Sequence, residues 1–220
     1  MAQNTSTAVM QRRHEPKDSL DDFPTPPWAT RALMENVLFP DCGFHFPRDF
    51  FQSRSCWEPT CNRGYMTRPL REYFGKVYAT DVYDYGWSGQ QRVKDFLWPD
   101  KSKLSRSYDW LIFNPPFRLA QQFIQRAFEL HPEGVATIVR TSFLEGKQRH
   151  KELFSVRRPN IIAQFTERVP MVKGRVDEKA STATSYCWLI WKHGCYDTEF
   201  VWIPPCRKEL ERPGDYEVAT

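Results

Sequence analysis

The sequence predicts an α/β domain: a mostly parallel, twisted sheet with helices on both faces, finished by a terminal antiparallel hairpin. Three observations carry that expectation. Short apolar runs alternate with helical stretches between residues 55 and 140, the rhythm of βαβ units in a sheet covered on both faces. Two β-rich runs with no helix between them, residues 182–191 and 198–203, follow at the end. The 220 residues suit one domain, large enough to bury a substantial core.

Residues 1–21 are polar and aperiodic and read as a flexible N-terminal tail. Phe23-Pro24-Thr25-Pro26-Pro27-Trp28 is stiff and extended and leads into a helix over residues 28–37, with Thr25 placed to cap it. Residues 40–55 lack clear periodicity and carry Arg48 and Arg54. Ser55-Cys56-Trp57-Glu58 has the composition of a short strand; a turn over Pro59 and Gly64 follows, then a helical stretch to residue 74. Residues 76–81 form the next strand, ending on the Asp81 carboxylate, and residues 92–97 a short element around Asp95 and Phe96. The run 109–113 has the length and composition of a buried strand, 119–130 is a helix, and 134–140 is a strand rich in β-branched residues. Residues 141–182 are cationic and poorly periodic, and residues 206–220 read as a C-terminal tail.

Thirty-one basic and 27 acidic residues give a net charge of +4, which permits a polyanionic partner without requiring one. Sixteen Phe, 9 Tyr and 8 Trp serve a core and base stacking equally well. Cys42, Cys56, Cys61, Cys187, Cys195 and Cys206 form no CxxC pair and no ligand-spaced cluster with His, so reduced thiols and no metal site are expected. No apolar stretch has the length of a membrane helix, and the first residues lack the apolar core of a signal peptide. A soluble, cytoplasmic protein with no membrane partner is the expectation.

The most informative residues are Asn114-Pro115-Pro116-Phe117, which stop the apolar run. Asn114 precedes a proline and is pushed toward extended backbone, while Pro115 and Pro116 lack N–H groups. The corner is therefore rich in carbonyl acceptors beside the flat apolar face of Phe117. It fits two readings: a proline-rich turn closing a core strand, or a seat for a planar group bearing an –NH2. In open parallel sheets ligands bind outside the carboxyl ends of the strands. Glu58, Asp81, Asp95 and Asn114 all fall at such ends, so four side chains are expected to converge on one cleft.

Residues 57–64 resemble the first motif of S-adenosylmethionine-dependent methyltransferases, Glu-Pro-x-x-Gly-x-Gly. Asn62 stands where the first glycine is commonest, and Gly64 is kept. Asn is the non-glycine residue most tolerant of left-handed backbone, so the exchange is mild. The ordered set Thr25-Pro26-Pro27, Glu58-Pro59 with Gly64, Asp81, Asp95-Phe96 and Asn114-Pro115-Pro116-Phe117 resembles the amino-methyltransferases of the γ type. Most of these methylate adenine N6 in DNA, and the short length is similar to that of phage-borne and solitary bacterial forms.

The resemblance implies a Rossmann-like methyltransferase fold, one domain over residues 22–205, and S-adenosylmethionine as cofactor. Thr25, with Pro26, would hold the methionine carboxylate, and Glu58 the methionine ammonium at the turn that Pro59 and Gly64 shape. Asp81 would accept from the ribose hydroxyls, Asp95 from the adenine amino group, and Phe96 would offer its backbone N–H to the adenine ring. Asn114, Pro115, Pro116 and Phe117 would form the catalytic corner. Acceptance of both amine N–H bonds by the Asn114 side chain and the Pro115 carbonyl would free the nitrogen lone pair, with Phe117 stacked on the target base.

Residues 40–55 and 141–181 are candidate substrate-recognition insertions, since there is no room for a separate recognition domain. Lys147, Arg149, Arg168, Lys173 and Arg175 are the candidate nucleic-acid-binding residues, those from Arg168 to Arg175 bordering the base pocket. The expected partner is double-stranded DNA with the target base flipped, met by a monomer or homodimer in a bacterium or phage-infected cell. The same core motifs also fit adenine or guanine in RNA, or a protein glutamine side chain. A DNA-binding module with a decayed cofactor turn at Asn62 is the non-enzymatic alternative.

Overall fold

The structure, a computed structural model, describes residues 20–40, 46–98 and 108–217. Helix α1 (Pro27–Leu33) runs into a π-helical turn, Met34–Leu38. Then follow β1 (Ser55–Glu58), α2 (Thr67–Leu70), β2 (Lys76–Asp81), β3 (Arg92–Val93), β4 (Trp110–Phe113) and α3 (Ala120–Glu129). β5 (Gly134–Arg140), α4 (Lys147–Arg149), β6 (Ile161–Phe165), β7 (Tyr186–Lys192), β8 (Glu199–Ile203) and α5 (Arg207–Leu210) complete the chain. One eight-stranded sheet has the order β3-β2-β1-β4-β5-β7-β6-β8, with β1 to β5 parallel.

The central strands are buried on both faces, which is why they read as unbroken apolar runs rather than alternating ones. In β4, Trp110 and Ile112 enter the core under α1, and Leu111 and Phe113 enter the core under α3. Helix α3 meets its side through Ala120, Phe123, Ile124 and Ala127, the spacing of a single helical stripe. β4 and β5 lie so close that a Cβ on Gly134 would come within 2.5 Å of the Trp110 ring. The chain winds outward from β1 through β2 to β3, returns to β4 on the other side, and leaves its crevice between β1 and β4.

The expected α/β fold is present, with helices on both faces and an antiparallel strand, but the closing pair is arranged differently. β7 and β8 do not pair with each other. β7 lies antiparallel between β5 and β6, and β8 lies parallel to β6 at the sheet edge. β6 comes from the segment expected to be a recognition insertion. Burial separates the two strands: six of seven β7 residues are buried, as in a central strand, whereas Glu199, Phe200 and Trp202 of β8 are exposed, as on an edge. Thr25 is likewise not a cap: Pro26 holds the N-cap position, with no side-chain capping bond.

The segment expected as a C-terminal tail is docked on α1 through residue 217. Arg31, only 3% exposed, spends all five guanidinium N–H donors on Glu72, Asp215 and the Leu210 carbonyl, at 2.6–3.1 Å. Burial opposes the charge, but the pairing with Asp215 and Glu72 outweighs it and raises the guanidinium pKa. Removing Asp215 leaves Arg31 paired with Glu72 but strips two buried guanidinium N–H donors of their acceptor. Asp215→Ala is expected to destabilise the protein by about 2–4 kcal/mol, read as the loss of unfolding free energy in urea titrations. A loss under about 1 kcal/mol, typical of an exposed pair, would show that the contact is incidental.

Candidate active site

The carboxyl ends of β1, β2 and β4 open into a cavity of about 200 Å³. Thr25, Glu58, Pro59, Asp81, Asp95, Phe96, Asn114 and Pro116 line it. Pro26, Gly64, Pro115 and Phe117 are not among its lining residues. Glu58, Asp81 and Asn114 thus meet from strand ends, as expected, whereas Asp95 reaches the cavity from the segment after β3 rather than from a strand end.

Glu58 is 1% exposed, with the Thr67 hydroxyl donating to its Oε2. Burial pushes its pKa well above the carboxylate range; the Asp81 charge adds to that and the Thr67 bond opposes it. Asp81 is also buried, and burial pushes it up to about 6 although the backbone N–H groups of Asn62, Tyr83 and Val82 hold it back. The Asn62 N–H donates to Asp81 Oδ2 at 2.9 Å, and that of Tyr83 to Oδ1 at 3.2 Å. Asn62 reaches this position with φ of 49°, the left-handed backbone expected of a glycine substitute. Gly64, at φ of 77°, admits no substitute: a Cβ would meet the Trp87 ring at 2.4 Å.

Thr25 is 3% exposed, and its hydroxyl has no hydrogen-bond partner among the described residues. Such an orphaned polar atom beside a cavity fits a ligand acceptor. Asp95 is exposed and lies two residues beyond the end of β3, with Oδ1 accepting the Leu97 N–H at 2.9 Å. The Phe96 ring is core, edge-on to Trp57 at 5.2 Å and tilted on Phe123 at 5.1 Å.

Asn114 is half-buried, and its Nδ2 donates to the Phe23 carbonyl at 2.8 Å. That bond fixes the amide plane and leaves Oδ1 as the acceptor. The Pro116 carbonyl is taken by the Leu119 N–H at 2.9 Å, while no described group donates to that of Pro115. Asn114 Oδ1 and the Pro115 carbonyl thus have no donor among the described residues; of the two residues Asn114 lines the cavity and Pro115 is buried. Phe117 packs against Phe23 at 5.6 Å and Tyr186 at 6.3 Å, and the Arg140 guanidinium stands over its ring at 3.9 Å.

Sequence reasoning missed the segment over residues 20–23, assigned in part to the tail. Asp21 accepts the Phe117 N–H; the Asp22 carboxylate receives Asn62 Nδ2 at 2.7 Å and Arg63 at 3.1 Å; the Asp22 carbonyl takes the Gly174 N–H at 2.9 Å. These residues form a strap joining the β1 turn, the β4 corner and the loop after β6. Two adjacent acids ahead of a stiff proline segment were the available signal. Met171 in that loop lies 3.9 Å from Asn114 Nδ2, which sets the loop beside the corner. Lys173 and Arg175 flank Gly174, and Arg168 donates to Ser185 Oγ. Arg175 pairs with Asp177 at 3.0 Å. Arg149 is committed to the Phe143 and Glu145 carbonyls and to the Phe143 ring, and Lys147 is exposed on α4.

Among the described residues no group of three or more His, Cys, Asp or Glu is placed to hold a metal ion, and no helix is long and apolar enough to cross a membrane. Cys56, Cys61, Cys187, Cys195 and Cys206 are free thiols; Cys42 lies outside the described residues.

No protein-family model and no curated protein matches the sequence. Solved structures do match the fold. One is a methyltransferase subunit of a type I restriction-modification system from Streptococcus thermophilus (TM-score 0.58, 14% identity, 90% of this chain and 50% of that one). A second is a modification subunit of a putative type I restriction enzyme from Vibrio vulnificus (0.55, 13%, 96% and 54%). A third is a putative RNA methyltransferase from Pyrococcus horikoshii (0.54, 14%, 84% and 95%). The fold is Rossmann-like, of the kind found in these methyltransferases. The chain spans about half the length of the first two.

Two buried carboxylates make the free protein pH-sensitive. Between about pH 4 and 6 folded Asp81 keeps a proton that the unfolded chain, titrating near 3.8, has lost. Stability is therefore expected to fall as pH rises through that window, by up to about 3 kcal/mol from Asp81, with Glu58 acting in the same direction. Glu58→Gln keeps an acceptor for Thr67 and removes the buried charge. It is expected to raise stability at pH 7.5 by about 1–3 kcal/mol in urea titrations; a destabilised variant would contradict the account of Glu58.

Proposed function

We propose that the chain transfers a methyl group from S-adenosylmethionine to the exocyclic N6 amine of adenine in DNA, with the target base flipped into the corner at Asn114 to Phe117. The observation that carries this reading is the Asn114 amide, held by the Phe23 carbonyl at a cleft that Glu58 and Asp81 also line; in this reading its oxygen and the neighbouring Pro115 carbonyl act as the two acceptors. Two carbonyl acceptors match the two N–H bonds of one –NH2 group, whereas a hydroxyl has a single O–H and would use only one of them.

The donors and acceptors present fit the cofactor. Thr25 supplies an unpartnered hydroxyl for the methionine carboxylate, Glu58 a buried carboxylate for the ammonium, and Asp81 an acceptor for the ribose hydroxyls. The cationic ammonium offsets what burial costs Glu58, so that the charge is stabilised only when the ligand is bound. Asp95 and the Phe96 backbone are assigned to the adenine ring. S-Adenosylmethionine supplies an electrophilic methyl on sulfonium. Asn114 and Pro115 draw the amine protons and raise nitrogen lone-pair density, an interaction that strengthens as positive charge develops on that nitrogen. Positioning then supplies much of the rate, and no general base of matched pKa is needed.

The Arg168 to Arg175 loop, seated beside Asn114 through Met171, favours a polyanion over a peptide glutamine. The third solved neighbour is a putative RNA methyltransferase, which keeps RNA as the second reading. Methyl-labelled cofactor offered to DNA, RNA and protein in parallel separates them. N6-methyladenine in digested DNA is expected; label confined to RNA or to glutamine overturns the DNA assignment. Asn114→Ala is expected to lose at least about a hundredfold in kcat while cofactor affinity by calorimetry stays within a few-fold. Full activity in that variant would remove the amine-polarising role.

A further inference from the structure

Arg140 is the last residue of β5, and its guanidinium carbon stands 3.9 Å from the centre of the Phe117 ring. That separation leaves no room for a second flat group between them. The Arg140 side chain makes no hydrogen bond or ion pair with any described residue, and its buried Nε lacks a partner. A guanidinium carries five donors, and none of them meets an acceptor among the described residues. The other ring neighbours of Phe117, Phe23 and Tyr186, are 4% and 2% exposed and fixed in the core. Arg140 is half-buried and is the neighbour able to move.

We propose that Arg140 holds the target base's seat on Phe117 while the site is empty, and transfers its guanidinium to a phosphate of the flipped nucleotide when the base arrives. The inference rests on the reading above, in which Phe117 stacks on that base. In the empty site the cation covers an aromatic face otherwise open to water. A guanidinium–ring contact is weaker than a forked, charge-assisted pair with phosphate. The exchange is therefore favourable once a phosphate is present, and it helps to offset the unstacking of the base. A neutral substrate such as a glutamine side chain offers no phosphate to complete it.

The test is steady-state methylation of unmethylated genomic DNA by the full chain at a series of salt concentrations, with Arg140→Met and Arg140→Lys beside the native protein. Arg140→Met keeps the bulk over Phe117 and removes the charge. It is expected to raise the KM for DNA about tenfold and to make the dependence of log KM on log salt shallower by about 1, with the KM for S-adenosylmethionine unchanged. Arg140→Lys is expected to restore the salt slope. A purely structural role would lower Tm or kcat without altering that slope. An active native protein with an unchanged salt slope in Arg140→Met, or with no restoration in Arg140→Lys, overturns the role of Arg140 alone. A native protein that methylates no DNA overturns the functional reading, and this inference with it.

Discussion

One hydrogen bond organises the candidate site: the 2.8 Å contact from the Asn114 amide nitrogen to the Phe23 carbonyl. It decides which way the Asn114 amide is turned: one of the two Nδ2 donors goes to the backbone and Met171 Sδ lies 3.9 Å from the same nitrogen, so Oδ1 is the end left as an acceptor. It also anchors the strap over residues 20–23 across the carboxyl end of the sheet. From there the strap reaches Asn62 and Arg63 on the β1 turn, the Phe117 N–H, and Gly174 on the loop after β6. Removing that anchor would let the amide rotate and loosen three walls of one cavity together.

The site is arranged against the stability of the free protein. Glu58 and Asp81 are buried at neighbouring strand ends with raised pKa values, each hydrogen-bonded, and the Arg71 charge near Glu58 does not outweigh its burial. Such groups destabilise a fold above their shifted pKa and persist where a ligand compensates them. The chain offsets this elsewhere. Two apolar layers enclose the sheet, and the fully satisfied Arg31 locks the C-terminal segment onto α1. Arg31, with every guanidinium donor used, holds the fold; the Arg140 guanidinium meets an aromatic ring and no acceptor among the described residues.

Local pattern made much of this legible. Apolar runs located β1, β2, β4 and β5, the βαβ rhythm set them parallel, and the crevice rule then named Glu58, Asp81, Asp95 and Asn114. Asn62 was legible for the same reason: only a residue tolerant of φ near 49° stands in for glycine at that turn. β6 was not. Ile161 to Phe165 has ordinary strand chemistry, but the cations around it hid its period, and only the vacant edge of β7 determined where it belongs.

By itself the sequence determined the backbone chemistry of each corner. Proline removes donors, glycine and Asn admit left-handed turns, and apolar periodicity assigns faces, all within a few residues of chain. Tertiary structure decided the partners. The Asn114–Phe23 bond joins residues 91 apart in the chain, Asp21–Phe117 residues 96 apart, and Arg31–Asp215 residues 184 apart. No local preference encodes such pairs, because loop closure over those distances depends only weakly on the residues between. The packed core brings them together, and so it was the fold that turned a proline-rich strand end into a fixed amide at the wall of a cleft.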